Sequence, residues 1–197
     1  MRGHIKTIIV IDKYIEYCVY ALLFFIPIST ALVEIFFTLG LLGFIARKIL
    51  NPDFNFIKSR VNLFLLFFML FSILSIVNSG TYLIKSVRAL VFKWSEYFLI
   101  FLIIQDIFVN RKQIRNILAI LMLGGGILSI DGITQAVSGI DFLRQRKVAI
   151  KIGPEFSGIT ASFHHHNDFA AYLVVVLAMA IALFFFFRNR KTGRCNF

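Results

Sequence analysis

The stretch YCVYALLFFIPISTALVEIFFTLGLLGFIA, residues 17–46, decides how this chain folds. Read as one helix it is about 45 Å long at 1.5 Å per residue, against a bilayer hydrocarbon core of about 30 Å. Pro27 interrupts it, and Ser29 and Thr30, which favour turns and helix N-caps, follow at once. The alternative is a hairpin of two short spans meeting at residues 27–30. Basic residues choose between the two, because short cytoplasmic loops are enriched in Lys and Arg. A hairpin with a cytoplasmic N-terminus puts 14 of the 21 Lys and Arg inside and 7 outside. A single first span reverses every later loop and leaves 10 inside against 11 outside, which is no bias. The hairpin is the reading the charges support.

Outward from this stretch, further apolar runs at residues 61–77, 89–104, 116–136 and 169–187 have the length and composition of membrane spans. With the hairpin halves near 14–29 and 31–46, the expected fold is an all-α polytopic integral membrane protein of about six transmembrane helices. It forms a single helical membrane domain over residues 1–197, with no soluble domain and both termini cytoplasmic. Backbone polar groups in lipid must be satisfied within the segment, which makes these spans helices. Composition agrees: 59% of the 197 residues are hydrophobic and 16% charged, against about 45–50% and 25% in ordinary soluble domains. A net charge of +11 normally suggests nucleic acid, but here the basic residues alternate with apolar runs too long for a small soluble core. Cys18 and Cys195 imply no disulfide framework. No small-residue cleavage site separates the first apolar run from the second, so a cleavable leader is not expected.

The seven outward basic residues stand against the positive-inside bias. Arg144, Arg146, Lys147 and Lys151 form a basic cluster in the outer loop, residues 137–168, which is long enough to suggest a functional role. Such a cluster either touches anionic headgroups or binds phosphate or pyrophosphate, with Arg gripping bidentately and Lys acting as a point charge. Lys85, Arg88 and Lys93 continue the theme at the fourth span. Snorkelling suits Lys85, whereas Arg88 and Lys93 are candidates for ligand binding. Lys93 and Glu96 are three apart and able to pair, and Glu34 is a second charge within a span. His164, His165 and His166 are adjacent, so their side chains diverge on a helix rather than face one ion, and no metal site is expected. Asn167 or Asp168 is expected to cap the last helix. Gly124, Gly125 and Gly126 suit close helix packing, and Asp131 and Gln135, four apart, are expected to share a polar stripe facing a cavity.

Three stretches carry a resemblance. They are Pro27-Ile28-Ser29; SIDGITQ at residues 129–135 followed by GIDFLR at 139–144; and GITASFHHHNDFAAY at 158–172. In order and spacing they resemble the bacterial O-antigen ligase and polymerase superfamily, whose ligase-type core opens near residue 158. The resemblance implies an inner-membrane glycosyltransferase with no metal or other cofactor. It takes a glycan from an undecaprenyl-pyrophosphate carrier on the periplasmic face and passes it to lipid A–core or a growing polysaccharide. On that reading Arg88, Lys93, Arg144 and Arg146 hold the pyrophosphate, and no catalytic residue is expected in this chain. The family's catalytic His belongs to a later periplasmic loop, and family members have roughly twice as many spans, so the chain reads as the N-terminal half and as inactive alone. It departs from the family at residues 158–159, where Gly158 and Ile159 stand in place of a common Arg. The expected partners are the carrier-linked glycan, its acceptor and membrane lipids, and not nucleic acid. The competing reading is a transporter for a small anion or glycan lipid; the lack of a visible internal repeat counts against it.

Overall fold

A computed structural model describes residues 2–53, 60–77, 80–147, 150–152 and 156–191. The described chain is overwhelmingly helical. Its helices are α1 (Arg2–Phe25), α2 (Thr30–Leu50), α3 (Arg60–Val77), α4 (Leu83–Ala89), α5 (Ser95–Ile107), α6 (Arg111–Ser138) and α7 (His166–Lys191). A 3-10 turn at Gly80–Tyr82 precedes α4, and a π-helical turn at Leu90–Trp94 joins it to α5. The helix expected over 89–104 therefore begins earlier and changes pitch in its middle. Between α6 and α7, strands β1 (Ile150–Ile152) and β2 (Phe156–Gly158) pair antiparallel, Ile150 opposite Gly158 and Ile152 opposite Phe156.

Local chemistry sets the helix ends. After Pro27 the chain closes with the N–H groups of Ile28 and Ser29 donating to the Phe25 carbonyl, both at 2.9 Å. Ser29 Oγ then accepts the N–H of Leu32 at 3.5 Å, so Ser29 is the N-cap of α2. The hairpin break falls where the sequence places it. At the start of α6, Asn110 N–H donates to Gln113 Oε1 at 3.0 Å while Gln113 N–H donates to the Asn110 carbonyl at 3.0 Å, a reciprocal cap. The helix ends at Gly139, whose φ of 75° and N–H bond to the Gln135 carbonyl make a left-handed C-cap.

Among the described residues, three helices are long and apolar enough to cross a membrane: Thr30–Leu50, Arg111–Ser138 and His166–Arg188. Val61–Ile76 and Gly80–Ile107 qualify only together, as a pair bent by 116°, and make a fourth if the pair is counted as one span. Helix α1 has the length but carries Asp12, Lys13 and Glu16 in every window long enough to span.

Although the sequence reads as one domain, the chain divides into two compact units: Met1–Leu22 with Glu34–Ile114, and Leu23–Val33 with Arg115–Phe197. In unit 1, Gly40 and Gly43 bring α2 close to Cys18 and Ile15 of α1. The charges of α1 are satisfied by pairing. Arg47 binds Asp12 at 2.5 Å, Asp106 at 2.6 Å and Asp53 at 3.3 Å, and Lys48 binds Asp53 at 2.7 Å and Asp106 at 3.0 Å. Buried Glu16 accepts from Lys13, Tyr20 and Gln113 at 2.7, 2.8 and 3.1 Å. In unit 2, α6 buries Gly124, Gly125, Leu128, Asp131, Gly132 and Gln135, a stripe at helical spacing. Packing against α7 is close: a Cβ on Gly125 would lie 2.5 Å from Val176 Cγ1, and one on Gly132 would lie 2.7 Å from Phe169 Cζ.

Candidate functional site

One end of unit 2 is organised by three buried polar side chains, each recognising backbone. Gln135 is fully buried on the last turn of α6. Its Oε1 accepts the N–H groups of Thr160 at 2.9 Å and Ala161 at 2.8 Å, and its Nε2 donates to Thr160 Oγ1 at 3.4 Å. One turn earlier, Asp131 Oδ1 accepts the N–H groups of Phe142 and Leu143 at 2.8 and 3.2 Å. Asp141, also fully buried, accepts the Arg146 N–H on Oδ1. That bond closes a small loop in which Ile140 pairs with Lys147 and Gln145 takes a left-handed φ of 58°.

Two segments of the α6–α7 connection then fasten to the Pro27 turn. The Ser162 hydroxyl donates to the Pro27 carbonyl, and the Arg144 guanidinium donates through Nε, at 3.1 Å, and Nη2 to the Ile28 carbonyl. Burial and the neighbouring Arg146 charge pull the Arg144 guanidinium below its ordinary pKa, and Asp141 opposes them. Ala161, with no exposed surface, sits at φ 47°, a left-handed conformation that strains an L side chain by about 1–2 kcal/mol. Strain held in place by a buried amide is a feature of built sites rather than of idle loops.

Known proteins supply no shortcut. The chain matches no family model, no curated protein and no solved structure. The reading of the site rests on its geometry.

The four expected ligand residues divide between the units. Arg144 and Arg146 belong to unit 2, Arg88 and Lys93 to unit 1. Arg144 is committed in part to the Ile28 carbonyl and acts first as a fastener of its loop. The Arg146 side chain makes no hydrogen bond or ion pair among the described residues and is half-buried beside Arg144. Lys93 lies 3.6 Å from Glu34 and 4.0 Å from Glu96, and Glu34 is 64% exposed, so the second charge within a span is a surface charge. The side chain of Lys151 is outside the described residues. Helix α7 opens at His166, which places Asn167 and Asp168 inside its first turn, Asp168 beside the positive end of the helix dipole. His164 and His165 are exposed, and His166 Nδ1 and Tyr172 Oη are buried without a hydrogen-bond partner among the described residues. No three His, Cys, Asp or Glu are grouped to hold a metal among the described residues.

Asp131 and Gln135 do share a stripe, but it meets loop backbone instead of a cavity. Asp141, Thr160 and Ser162, which carry much of this network, have no signature in the sequence beyond their place in the GIDFLR and GITASF stretches. The repeated small polar residues around residues 158–162 were the available signal.

Proposed function

We propose that this chain is the helical membrane part of an O-antigen ligase-type glycan transferase, with six spans, both termini in the cytoplasm, and a place in the bacterial inner membrane. Its periplasmic loop receives the pyrophosphate of an undecaprenyl-linked glycan destined for lipid A–core or a growing polysaccharide. The observation that carries this reading is convergence. The three stretches of the resemblance, the first bonded to residues more than a hundred positions later in the chain, meet at one end of unit 2 through Ser162 on Pro27, Arg144 on Ile28 and Gln135 on Thr160 and Ala161. A fixed loop carrying Arg144, Arg146 and Lys147 fits a diphosphate, because Arg146 offers a planar fork and Lys147 an exposed ammonium. No residue here is assigned to breaking the glycosyl bond.

The test uses the full chain in lipid nanodiscs with an undecaprenyl-pyrophosphate oligosaccharide. The expected result is saturable carrier binding that inorganic pyrophosphate competes away and Arg146→Gln weakens roughly tenfold, a loss of about 1.4 kcal/mol. Deletion of the gene is expected to leave the glycan on its carrier in cells. Uptake of a small anion into liposomes with no carrier binding would replace this reading with a transporter.

A further inference from the structure

A second cationic feature lies on α4 and the π-helical turn of unit 1. From Gly80 to Ser95 the chain carries three cations, Lys85, Arg88 and Lys93, and no carboxylate. Lys93 is paired with Glu34 and Glu96, and Lys85 lies 5.8 Å over the Tyr82 ring. Arg88 has no hydrogen bond or ion pair among the described residues. It is surrounded instead by apolar side chains: Leu83, Ile84, Val87, Val91 and Phe92 line an open groove of about 460 Å³ with it. These residues recur at helical spacing and face outward, Ile84 with 82% and Phe92 with 67% of its surface exposed. Lys85, three residues before Arg88, shares its side of the helix.

An unpaired guanidinium inside an apolar stripe needs a ligand with two chemistries, an anionic head and a hydrocarbon body. A free anion leaves the stripe uncovered, and an apolar protein surface leaves the guanidinium buried without a partner. We infer that the groove around Arg88 seats one anionic bilayer phospholipid, its phosphate on Arg88 and Lys85 and its acyl chain along Ile84, Val91 and Phe92. The Tyr82 ring lies under the Lys85 ammonium at the start of this segment, an aromatic side chain of the kind found at membrane interfaces. Each Lys or Arg near such a surface contributes about 1 kcal/mol to anionic-lipid binding, or about fivefold in affinity.

The chain contains its own reporter. Trp94 is its one tryptophan, 47% exposed, and lies about 9 Å along the helix from Arg88. The full chain is reconstituted in phosphatidylcholine vesicles with a fixed small fraction of acyl-brominated lipid, either phosphatidylglycerol or phosphatidylcholine. Brominated phosphatidylglycerol is expected to quench Trp94 fluorescence more strongly. That preference falls about fivefold in Arg88→Gln, is largely kept in Arg88→Lys, and declines with added salt. Equal quenching of the unaltered chain by the two lipids overturns the inference without any variant being needed. So does an unchanged preference in Lys85→Gln/Arg88→Gln. Displacement of brominated phosphatidylglycerol by inorganic phosphate reassigns the groove to a free anion, and displacement by trace polyprenyl pyrophosphate reassigns it to the carrier; either overturns a bilayer-lipid seat. The effect of Arg146→Gln on carrier binding is a separate measurement, so the two readings fail separately.

Discussion

Unit 1 and unit 2 hold their buried polar groups in opposite ways. In unit 1 charge answers charge: Arg47 and Lys48 share Asp12, Asp53 and Asp106 through flexible side chains at helix ends. In unit 2 the side chains of Asp131, Gln135, Asp141, Ser162 and Arg144 all address backbone groups. An ion network tolerates rearrangement, since several partners offer equivalent charge. A side chain that binds a particular N–H or carbonyl fixes the path of a loop and has no substitute. Unit 1 is built for cohesion, and unit 2 is built to hold a loop in one shape.

The largest expected effect tests that rigidity. Gln135→Leu keeps the volume but leaves the Thr160 and Ala161 N–H groups buried without an acceptor, at about 1–3 kcal/mol each. Thermal unfolding in detergent should show a loss of about 2–6 kcal/mol, with new protease cleavage at residues 139–163. In unit 1, Arg47→Met strands Asp12 and leaves Asp106 to Lys48 alone. Removing one partner of a fully buried pair costs about 3–5 kcal/mol; with Asp12 partly exposed and Lys48 still in place, about 2–3 is expected in the same assay. A comparable loss from Arg47→Lys would show that unit 1 also depends on exact geometry and would break the contrast.

Glycines sharpen it further. Gly125→Ala forces a Cβ against Val176 and should destabilise unit 2 by about 1–3 kcal/mol. Gly40→Ala meets Cys18 at an ordinary 3.4 Å and should be neutral or stabilising by up to about 1 kcal/mol through helix propensity. Arg144→Lys, which loses the paired grip on the Ile28 carbonyl, should cost about 1 kcal/mol and loosen the 139–147 loop to proteolysis. The smallest effect is acid dependence in unit 1. The hydrogen bond from Lys48 holds the Asp53 carboxyl below its ordinary range, with the Lys48 and Arg47 charges adding to it and burial opposing. A carboxylate with a depressed folded pKa contributes stability above its unfolded pKa of about 4 and loses it as pH falls through the folded value. Asp53→Asn should flatten that acid limb of a melting-temperature profile, modestly because the side chain is partly exposed.

Much of the helical layout was legible in the sequence because it depends on local chemistry. Pro27 with Ser29 ends one helix and caps the next, and Gly139 closes α6 in a conformation only glycine adopts freely. The π-helical turn at Leu90–Trp94 has no such signature, since its residues suit an α-helix equally well. At the site, Asp131 and Gln135 announce themselves as polar residues within an apolar run. What they bind was not legible, because their partners lie in a later loop and a backbone N–H carries no residue identity. Arg144 looked like an anion ligand for the same reason: composition reports its charge, and only the fold reports that a carbonyl 116 residues away already takes two of its donors.

The pairing of Asp12 with Arg47 has a consequence for how such a chain is made. A helix holding Asp12, Lys13 and Glu16 partitions poorly into lipid on its own, at about 2.5–3.5 kcal/mol per central charge. Its neutralising partner emerges from the ribosome 35 residues later, about 2–7 s at ordinary elongation rates. The Asp12 charge of α1 therefore has its partner only once α2 has been made, so the first helix depends on the second to complete its own side-chain pairing.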